Sequence, residues 1–384
     1  MLILHTADWH LGRQFEGHSL SADFEHVLEQ VFAILIDRAV DVLIIAGDIF
    51  DRSSPPETAV RLFNCFINRV SSETKAKVVL IAGNHDSADR IAAMAMFADG
   101  RKALVRGSVS ARNAPLLLES GGRSLAISAL PFAMEFTARE VFADLTIATP
   151  EDVLKAQIAA ARAEVPEHAL WIVVAHAFVS GGSVSDVERR LTRSVGGVET
   201  VSADAFGGAA YVALGHLHRA QSVSAPHIRY AGSLLPFSFD EEGNDKSVTL
   251  IDVNDDGTIG IDAVPITPRR KVRTLRGAFD WVLSLEPSDD FVRIVLTDSE
   301  RRIDPMKRIR ERFPFACALT YARDEPPSAV DMKGRAAVAA RDPVDVVVQF
   351  VTSIRGEDLS DAERHLVEAE LAALATVRID EAAA

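Results

Sequence analysis

Short apolar runs rich in valine, isoleucine and leucine recur through the first half of the chain, and each stops abruptly at polar residues. They cover residues 2–5, 42–46, 78–82, 125–130, 171–175 and 211–214. Their length and β-branching predict buried strands. Between several of them, apolar residues fall at helical spacing. Phe24, Val27, Leu28, Val31 and Leu35 mark a helix over 23–38, and residues 57–70 and 150–163 carry the same periodicity. Strands alternating with helices predict an α/β fold. In such sheets ligands collect beyond the carboxyl ends of the strands, which is where this chain keeps its polar clusters.

The texture changes after residue 218. Strands are predicted over 228–231, 247–253 and 258–264, the last two joined by Asn254-Asp255-Asp256-Gly257. They complete a large domain over 1–265. Pro265-Ile266-Thr267-Pro268-Arg269-Arg270-Lys271 reads as a linker. A small α+β unit follows over 270–340, with strands at 271–275, 291–296 and 316–321 and helices at 279–285 and 304–313. Residues 324–340 read as loop. Asp342-Pro343 offers a cap followed by proline at the first helical position. Ser360-Asp361-Ala362-Glu363 is a capping box. Leu366, Val367, Leu371 and Leu374 then form an apolar stripe, so residues 341–384 read as a helix–loop–helix.

Composition narrows the class. The chain has 384 residues, 48% hydrophobic and 25% charged, which suits a globular protein with one large domain and an appendage. Two distant cysteines, Cys65 and Cys317, argue against a disulfide framework and fit a reducing, cytoplasmic setting. There is no signal peptide and no apolar run near the ~18 residues of a membrane span. The formal net charge is −14, which by itself opposes a nucleic-acid partner. Two bound dications would offset part of it. Basic residues also cluster, at Arg189, Arg190 and Arg193, and at Arg269, Arg270, Lys271, Arg273 and Arg276.

Five polar motifs follow five of the strands. They are Asp8-Trp9-His10, Gly47-Asp48-Ile49-Phe50-Asp51-Arg52, Gly83-Asn84-His85-Asp86, the lone His176, and Gly215-His216-Leu217-His218. Taken singly each is weak, because a capping Asp or a structural His explains it. On an extended chain, residues two apart face one way, so Asp8 and His10 can share an ion. A carboxylate such as Asp48 can bridge two. Together the motifs supply two Asp, one Asn and four His as possible ligands, an oxygen and nitrogen set suited to Mn²⁺, Fe²⁺ or Zn²⁺ and unlike a structural thiolate site.

This set resembles the calcineurin-like metallophosphoesterase family over residues 1 to about 265. The resemblance implies a layered fold of sheets flanked by helices. Leu4-His5-Thr6-Ala7-Asp8-Trp9-His10-Leu11-Gly12 and Ala231-Gly232-Ser233-Leu234-Leu235-Pro236-Phe237-Ser238-Phe239-Asp240-Glu241 are more narrowly similar to the bacterial SbcD family, the nuclease subunits of SbcC–SbcD complexes. That resemblance implies one cation on Asp8, His10, Asp48 and His218, and a second on Asp48, Asn84, His176 and His216. It implies Mn²⁺, with Fe²⁺, Mg²⁺ or Zn²⁺ as alternatives. His85 would donate a proton to the leaving oxygen, Asp51 would orient His85, and Arg52 would contact phosphate. The implied substrate is DNA, cut by a 3′→5′ exonuclease on duplex ends and an endonuclease on single strands and hairpins, in DNA repair, replication and recombination. Arg189, Arg193, Arg270 and Lys271 are candidate DNA contacts. The unit after residue 270 is similar to the family's capping domain, and the C-terminal helices to the segment that grips an SbcC-type coiled-coil ATPase. A homodimer within a heterotetramer is implied, with no membrane involvement. The chain has no G-x-x-x-x-G-K-[ST] loop, so any ATP is hydrolysed by the partner. A small-molecule phosphodiesterase or phosphatase on the same fold accounts better for the acidity. A non-catalytic scaffold would have shed ligands, and none is missing.

Overall fold

The computed structural model describes residues 1–95, 102–185, 193–194, 197–198, 200–324, 343–355 and 359–367. The first eight principal strands are β1 (Leu2–Thr6), β2 (Val42–Ala46), β3 (Lys77–Ile81), β4 (Ala103–Arg106), β5 (Leu116–Ser120), β6 (Arg123–Leu130), β7 (Leu170–His176) and β8 (Tyr211–Gly215). Then come β9 (Gln221–Val223), β10 (Ala225–Tyr230), β11 (Lys246–Val253), β12 (Ile259–Ile266), β13 (Val272–Gly277), β14 (Phe291–Leu296) and β15 (Ala316–Tyr321). The helices are α1 (Ser21–Asp37), α2 (Glu57–Glu73), α3 (Ala88–Ala95), α4 (Glu135–Phe142), α5 (Pro150–Ala163), α6 (Phe279–Ser284), α7 (Pro305–Arg310) and α8 (Pro343–Arg355).

Two six-stranded sheets carry the first unit, Met1–Leu319. One has the order β12-β11-β1-β2-β3-β4, with β1 to β4 parallel and the other two antiparallel. The other has the order β9-β10-β8-β7-β6-β5, with β6, β7, β8 and β10 parallel. The apolar runs are continuous because both faces of each sheet are covered. In β2, Val42, Ile44 and Ala46 pack with Ile127, Ala129, Ile172 and Val174 of the opposite sheet. Leu43 and Ile45 turn the other way, onto Phe24, Val27 and Val31 of α1 and Phe63 and Phe66 of α2. On the far side Leu154 and Ala161 of α5 cover Trp171, Val173 and Val212. Helix α5 starts at a Thr149–Asp152 capping box followed by Pro150. The fold is a layered α/β structure of two sheets flanked by helices.

The stretch read as a linker is strand and anchor. Strand β12 runs through Pro265 to Ile266, which an edge strand permits because proline's missing donor faces outward. Gln30 of α1 then holds the backbone N–H and carbonyl of Thr267 at 2.9 and 2.8 Å. Arg270 is buried, 3.3 Å from Asp23 and 3.9 Å from the ring centroid of Phe315. The small sheet β13-β14-β15 joins the main core at this point. Phe15 stacks on Phe291 at 4.6 Å, and both belong to the cluster beneath α1 and α2.

Other differences are local. The helix expected over 304–313 spans only Pro305–Arg310: Asp304 precedes it in a left-handed conformation (φ 45°), and the N–H groups of Arg312 and Phe313 close a turn on the Ile309 carbonyl. Helices α3 and α4 and strands β4 and β5 are additional to the expected elements. In the second unit, Thr320–Ala384, α8 is followed by a helical stretch at 361–367. Ser360 caps it through Glu363, and Glu363 also pairs with Arg355 at 2.6 Å. Residues 325–340 of the expected loop and the stripe beyond Val367 lie outside the described residues. Among the described residues no helix is long and apolar enough to cross a membrane.

Removing one member of the Asp23–Arg270 pair strands the other in an apolar setting. Arg270→Met should destabilise the protein by about 3 kcal/mol, and adding Asp23→Leu should recover most of it. Urea unfolding midpoints check this, and an unchanged midpoint in the single variant overturns it.

Candidate metal centre

The strands β1, β2, β3, β7 and β8 deliver the five motifs to one end of the two sheets. The approach is close enough to require glycine. A side chain on Gly215 would meet the Ala46 carbonyl oxygen at 1.9 Å, and one on Gly47 (φ +88°) would meet His176 Nδ1 at 2.5 Å. The expected extended geometry of the D-x-H motif is not what forms. Strand β1 ends at Thr6, and Asp8 and His10 are left-handed, at φ 52° and 48°. Their backbone N–H groups donate to Gly47 O (3.1 Å) and Asp48 O (2.9 Å), so the loop after β2 dictates their turn. Trp9 still points into the core, donating to Thr6 Oγ1 and packing edge-on against Phe66. Asp48 and His216 also have positive φ, 50° and 109°. Four non-glycine residues in this region store strain of ~1–3 kcal/mol each, a feature that clusters at functional sites.

Two groups of ligand atoms result. In one, His10 Nε2 and His218 Nε2 face each other at 3.2 Å, and His10 Nε2 lies 3.6 Å from Asp48 Oδ2. In the other, Asn84 Oδ1 is 3.0 Å from both His176 Nε2 and His216 Nδ1, and His176 Nε2 is 3.5 Å from Asp48 Oδ2. Asp48 Oδ2 is therefore common to both. Asp8 joins Asp48 and His176 within 4.8 Å, and its carboxylate accepts the His216 backbone N–H at 2.9 Å. His10 Nδ1 and His216 Nε2 are buried with no hydrogen-bond partner among the described residues. Facing imidazole nitrogens, orphaned ring nitrogens and two buried carboxylates together fit divalent cations. The donors are nitrogen and oxygen only.

The electrostatics express the same demand. Burial and the neighbouring Asp48 push the Asp8 carboxyl up to about 7. Burial opposes the charge on Asp48 too, but His176, His10 and His85 outweigh it and hold its carboxyl well below the usual range. Burial alone would lower His176, yet Asp48 and Asp8 drive it up to about 9. Burial, then His176, takes His216 down to about 3. The carboxylates thus draw positive charge into the pocket, which a cation supplies better than protons do.

The first 220 residues match the family model described as calcineurin-like phosphoesterase. The chain belongs to this family. A solved structure described as the anchor in the inner membrane complex of Plasmodium aligns with TM-score 0.40 and 10% identity, over 86% of this chain and 98% of that one. Members of the calcineurin-like family are phosphoester hydrolases that use divalent metals, and the ligand groups of this chain lie within the matched span.

Residues behind the ligands were not singled out from the sequence. Asp86 of the G-N-H-D motif is a clamp: its carboxylate accepts from Gly83 N (2.9 Å), Ile49 N (3.1 Å) and Phe50 N (2.9 Å). It ties the loops bearing Asp48 and Asn84 together. Glu241 and Lys246 form a buried ion pair, with Lys246 Nζ at 2.5 Å and also donating to His218 O and Ser233 Oγ. Glu241 Oε1 lies 3.4 Å from His218 Nδ1, which directs Nε2 inward. The lysine and the histidine hold the Glu241 carboxyl, against burial, down to about 2. Motif spacing cannot reveal such partners, because they lie on other elements.

The expected role of the Asp51 carboxylate is corrected. His85 Nδ1 bonds to the backbone carbonyl of Asp51 at 2.8 Å. The Asp51 carboxylate instead accepts from Arg13 Nη1 at 3.0 Å and sits 3.9 Å from His10 Nδ1. The turn that sends Asp51 N to Leu11 O points the side chain at this first loop. Arg52 is exposed on the loop after β2 and Lys271 is exposed, while Arg270 is turned inward. Arg189 and the side chain of Arg193 lie outside the described residues.

Protons on His176 and Asp8 compete with metal, so manganese affinity should rise with pH, through about 7 for Asp8 and about 9 for His176. Calorimetry in buffers of different ionisation enthalpy should detect proton release on binding near pH 7, and a pH-independent affinity overturns the expectation. Glu241→Gln paired with Lys246→Met leaves no unpaired buried charge. That double variant should fold and bind manganese about tenfold more weakly, and parental affinity would remove Glu241 from the centre.

Proposed function

We propose that the protein is a two-cation phosphodiesterase that cuts DNA together with a coiled-coil ATPase, as SbcD-type nucleases do. The observation that carries the hydrolytic part is the pair of ligand groups sharing Asp48 Oδ2, with His85 beside them. Divalent cations held there neutralise phosphate charge and lower the pKa of water to near neutrality. His85 is anchored twice: its backbone N–H donates to Asp48 Oδ1 at 2.9 Å and its ring Nδ1 bonds to Asp51 O. A carbonyl oxygen only accepts, so Nδ1 is the donor and Nε2 is left for proton transfer. When a water oxygen joins phosphorus and the ester P–O bond breaks, the Nε2 proton of the imidazolium goes to the leaving oxygen. Arg13 holds the Asp51 side chain, and Asp51 holds the ring.

The DNA part rests on the two SbcD-like motifs, on the three-stranded unit after residue 270, and on the C-terminal helices. We assign residues 1–265 to hydrolysis, 270–340 to a cap, and 341–384 to the ATPase. Phe350 and Leu366 are 64% and 65% exposed, consistent with an apolar partner surface there. Arg269, Lys271 and Arg276 are exposed basic residues close to the cap. Manganese is the proposed cation and a homodimer the proposed assembly. The net charge of −14 favours a second reading, a small-molecule phosphodiesterase on the same centre. Duplex DNA and cyclic nucleotides offered in parallel separate the two, and co-purification with a large coiled-coil ATPase decides the partner.

His85→Ala should lower manganese-dependent phosphodiester cleavage by about 10²–10⁴-fold. Calorimetry should find its manganese binding retained. Undiminished cleavage by that variant removes His85 from proton transfer.

A further inference from the structure

A cavity of about 480 Å³ opens directly beside the second ligand group, and Asn84, His176 and His216 form its inner wall. The volume falls within the ~300–1,000 Å³ typical of small-molecule sites. From the metal end outward the wall turns apolar: Leu130, Phe132, Met134, Val153, Leu154 and Phe178. The Phe178 ring lies 6.0 Å from that of His216, tilted by 37°, so an aromatic wall continues from the ligand group into the cavity. Away from the ligand group the polar side chains on its wall are Glu135 and Gln157. Gln157 is 3% exposed; its amide nitrogen donates to Pro131 O at 3.2 Å, and its Oε1 is buried with no hydrogen-bond partner among the described residues. An orphaned buried acceptor on a residue that lines an apolar slot gains a partner if a rotation of its amide presents it to a ligand N–H. Neither His85 nor His10 lines this cavity. The leaving group, which His85 serves, therefore lies elsewhere, and the cavity faces the part of the substrate that stays on the phosphate.

We propose that this cavity binds an unstacked nucleobase, on the nucleotide that retains the scissile phosphate. The proposal rests on the phosphodiesterase reading and deepens it. A planar, mostly apolar group with N–H donors on its edge matches both the wall and Gln157. A base can enter only when freed from its stack, which costs least at frayed ends, mismatches and single strands. The enzyme would thereby prefer unpaired nucleotides without reading their sequence, since stacking on apolar and aromatic walls tolerates every base.

The test uses the full chain loaded with manganese and two chromogenic esters. Thymidine 5′-(4-nitrophenyl phosphate) offers a base on the retained side; bis(4-nitrophenyl) phosphate offers none. Ala148 is an exposed lining residue, so Ala148→Trp should block the cavity without disturbing the core. The ratio of kcat/KM for the thymidine ester to that for the simple diester should fall about tenfold in Ala148→Trp and in Phe178→Ala, mainly through KM. A ratio within twofold of the parent in both variants overturns the proposal. If the parent hydrolyses neither ester, the phosphodiesterase reading fails separately. Equilibrium binding of thymidine 5′-monophosphate then decides the pocket: tenfold weaker binding by Ala148→Trp supports it, and equal binding overturns it.

Discussion

Asp8 and Asp48 lie side by side with 0% and 2% of their surface exposed. Two carboxylates cannot both stay ionised out of water unless positive charge meets them, since burying each unpaired ion costs several kcal/mol. Every neighbouring feature responds to that constraint. His176 is drawn towards protonation, Asn84 turns its oxygen to two imidazoles, and His10 and His218 bring ring nitrogens face to face. Positive charge from divalent cations would meet both carboxylates at once.

Holding it open needs a stiff frame. Four non-glycine residues at positive φ, and glycines with no room for a Cβ, persist only because the surrounding sandwich over-determines them. The frame is a pair of sheets packed face to face and sealed by helices on both outer sides. Asp86 stitches two of the ligand loops with three backbone hydrogen bonds, and the Glu241–Lys246 pair sets one imidazole. Precision at the ligands thus comes from residues that touch no cation themselves.

The same frame explains an asymmetry around the centre. On the His85 side the surroundings are polar, with Arg13 and Asp51 close by. On the Asn84 side the wall becomes apolar within one residue's reach, as strand β7 gives way to Ala177 and Phe178 and α5 closes the far end. A charged phosphate and an apolar appendage are accommodated by adjoining surfaces built from different elements. Acidity over the rest of the chain does not conflict with phosphate binding at such a point, because cations held at the centre set the local field.

Much of this was legible in the chain. Helices α1, α2 and α5 and the central strands appear within a few residues of their expected bounds, because a strand buried on both faces and a one-sided helix each leave an unmistakable apolar pattern. The ligand motifs were legible too, since five strand ends with Asp, Asn and His in place of packing residues have no use in a core. At Asp8 and His10 the alternation suggested an extended chain and the backbone is left-handed, because Gly47 and Asp48 after another strand supply the hydrogen bonds that bend it. Asp51 was expected to meet His85 through its carboxylate, and its carbonyl makes that contact while the carboxylate faces Arg13 and His10. Arg270 was expected among the DNA contacts and is a buried anchor, because Asp23 and Phe315 meet it only after the chain has folded. The sequence by itself determined which elements form and which chemistry they carry. Only the tertiary structure decided which atoms of those residues meet, because partners such as Glu241 and His218, or Asp86 and Ile49, are brought together by packing that no local pattern encodes.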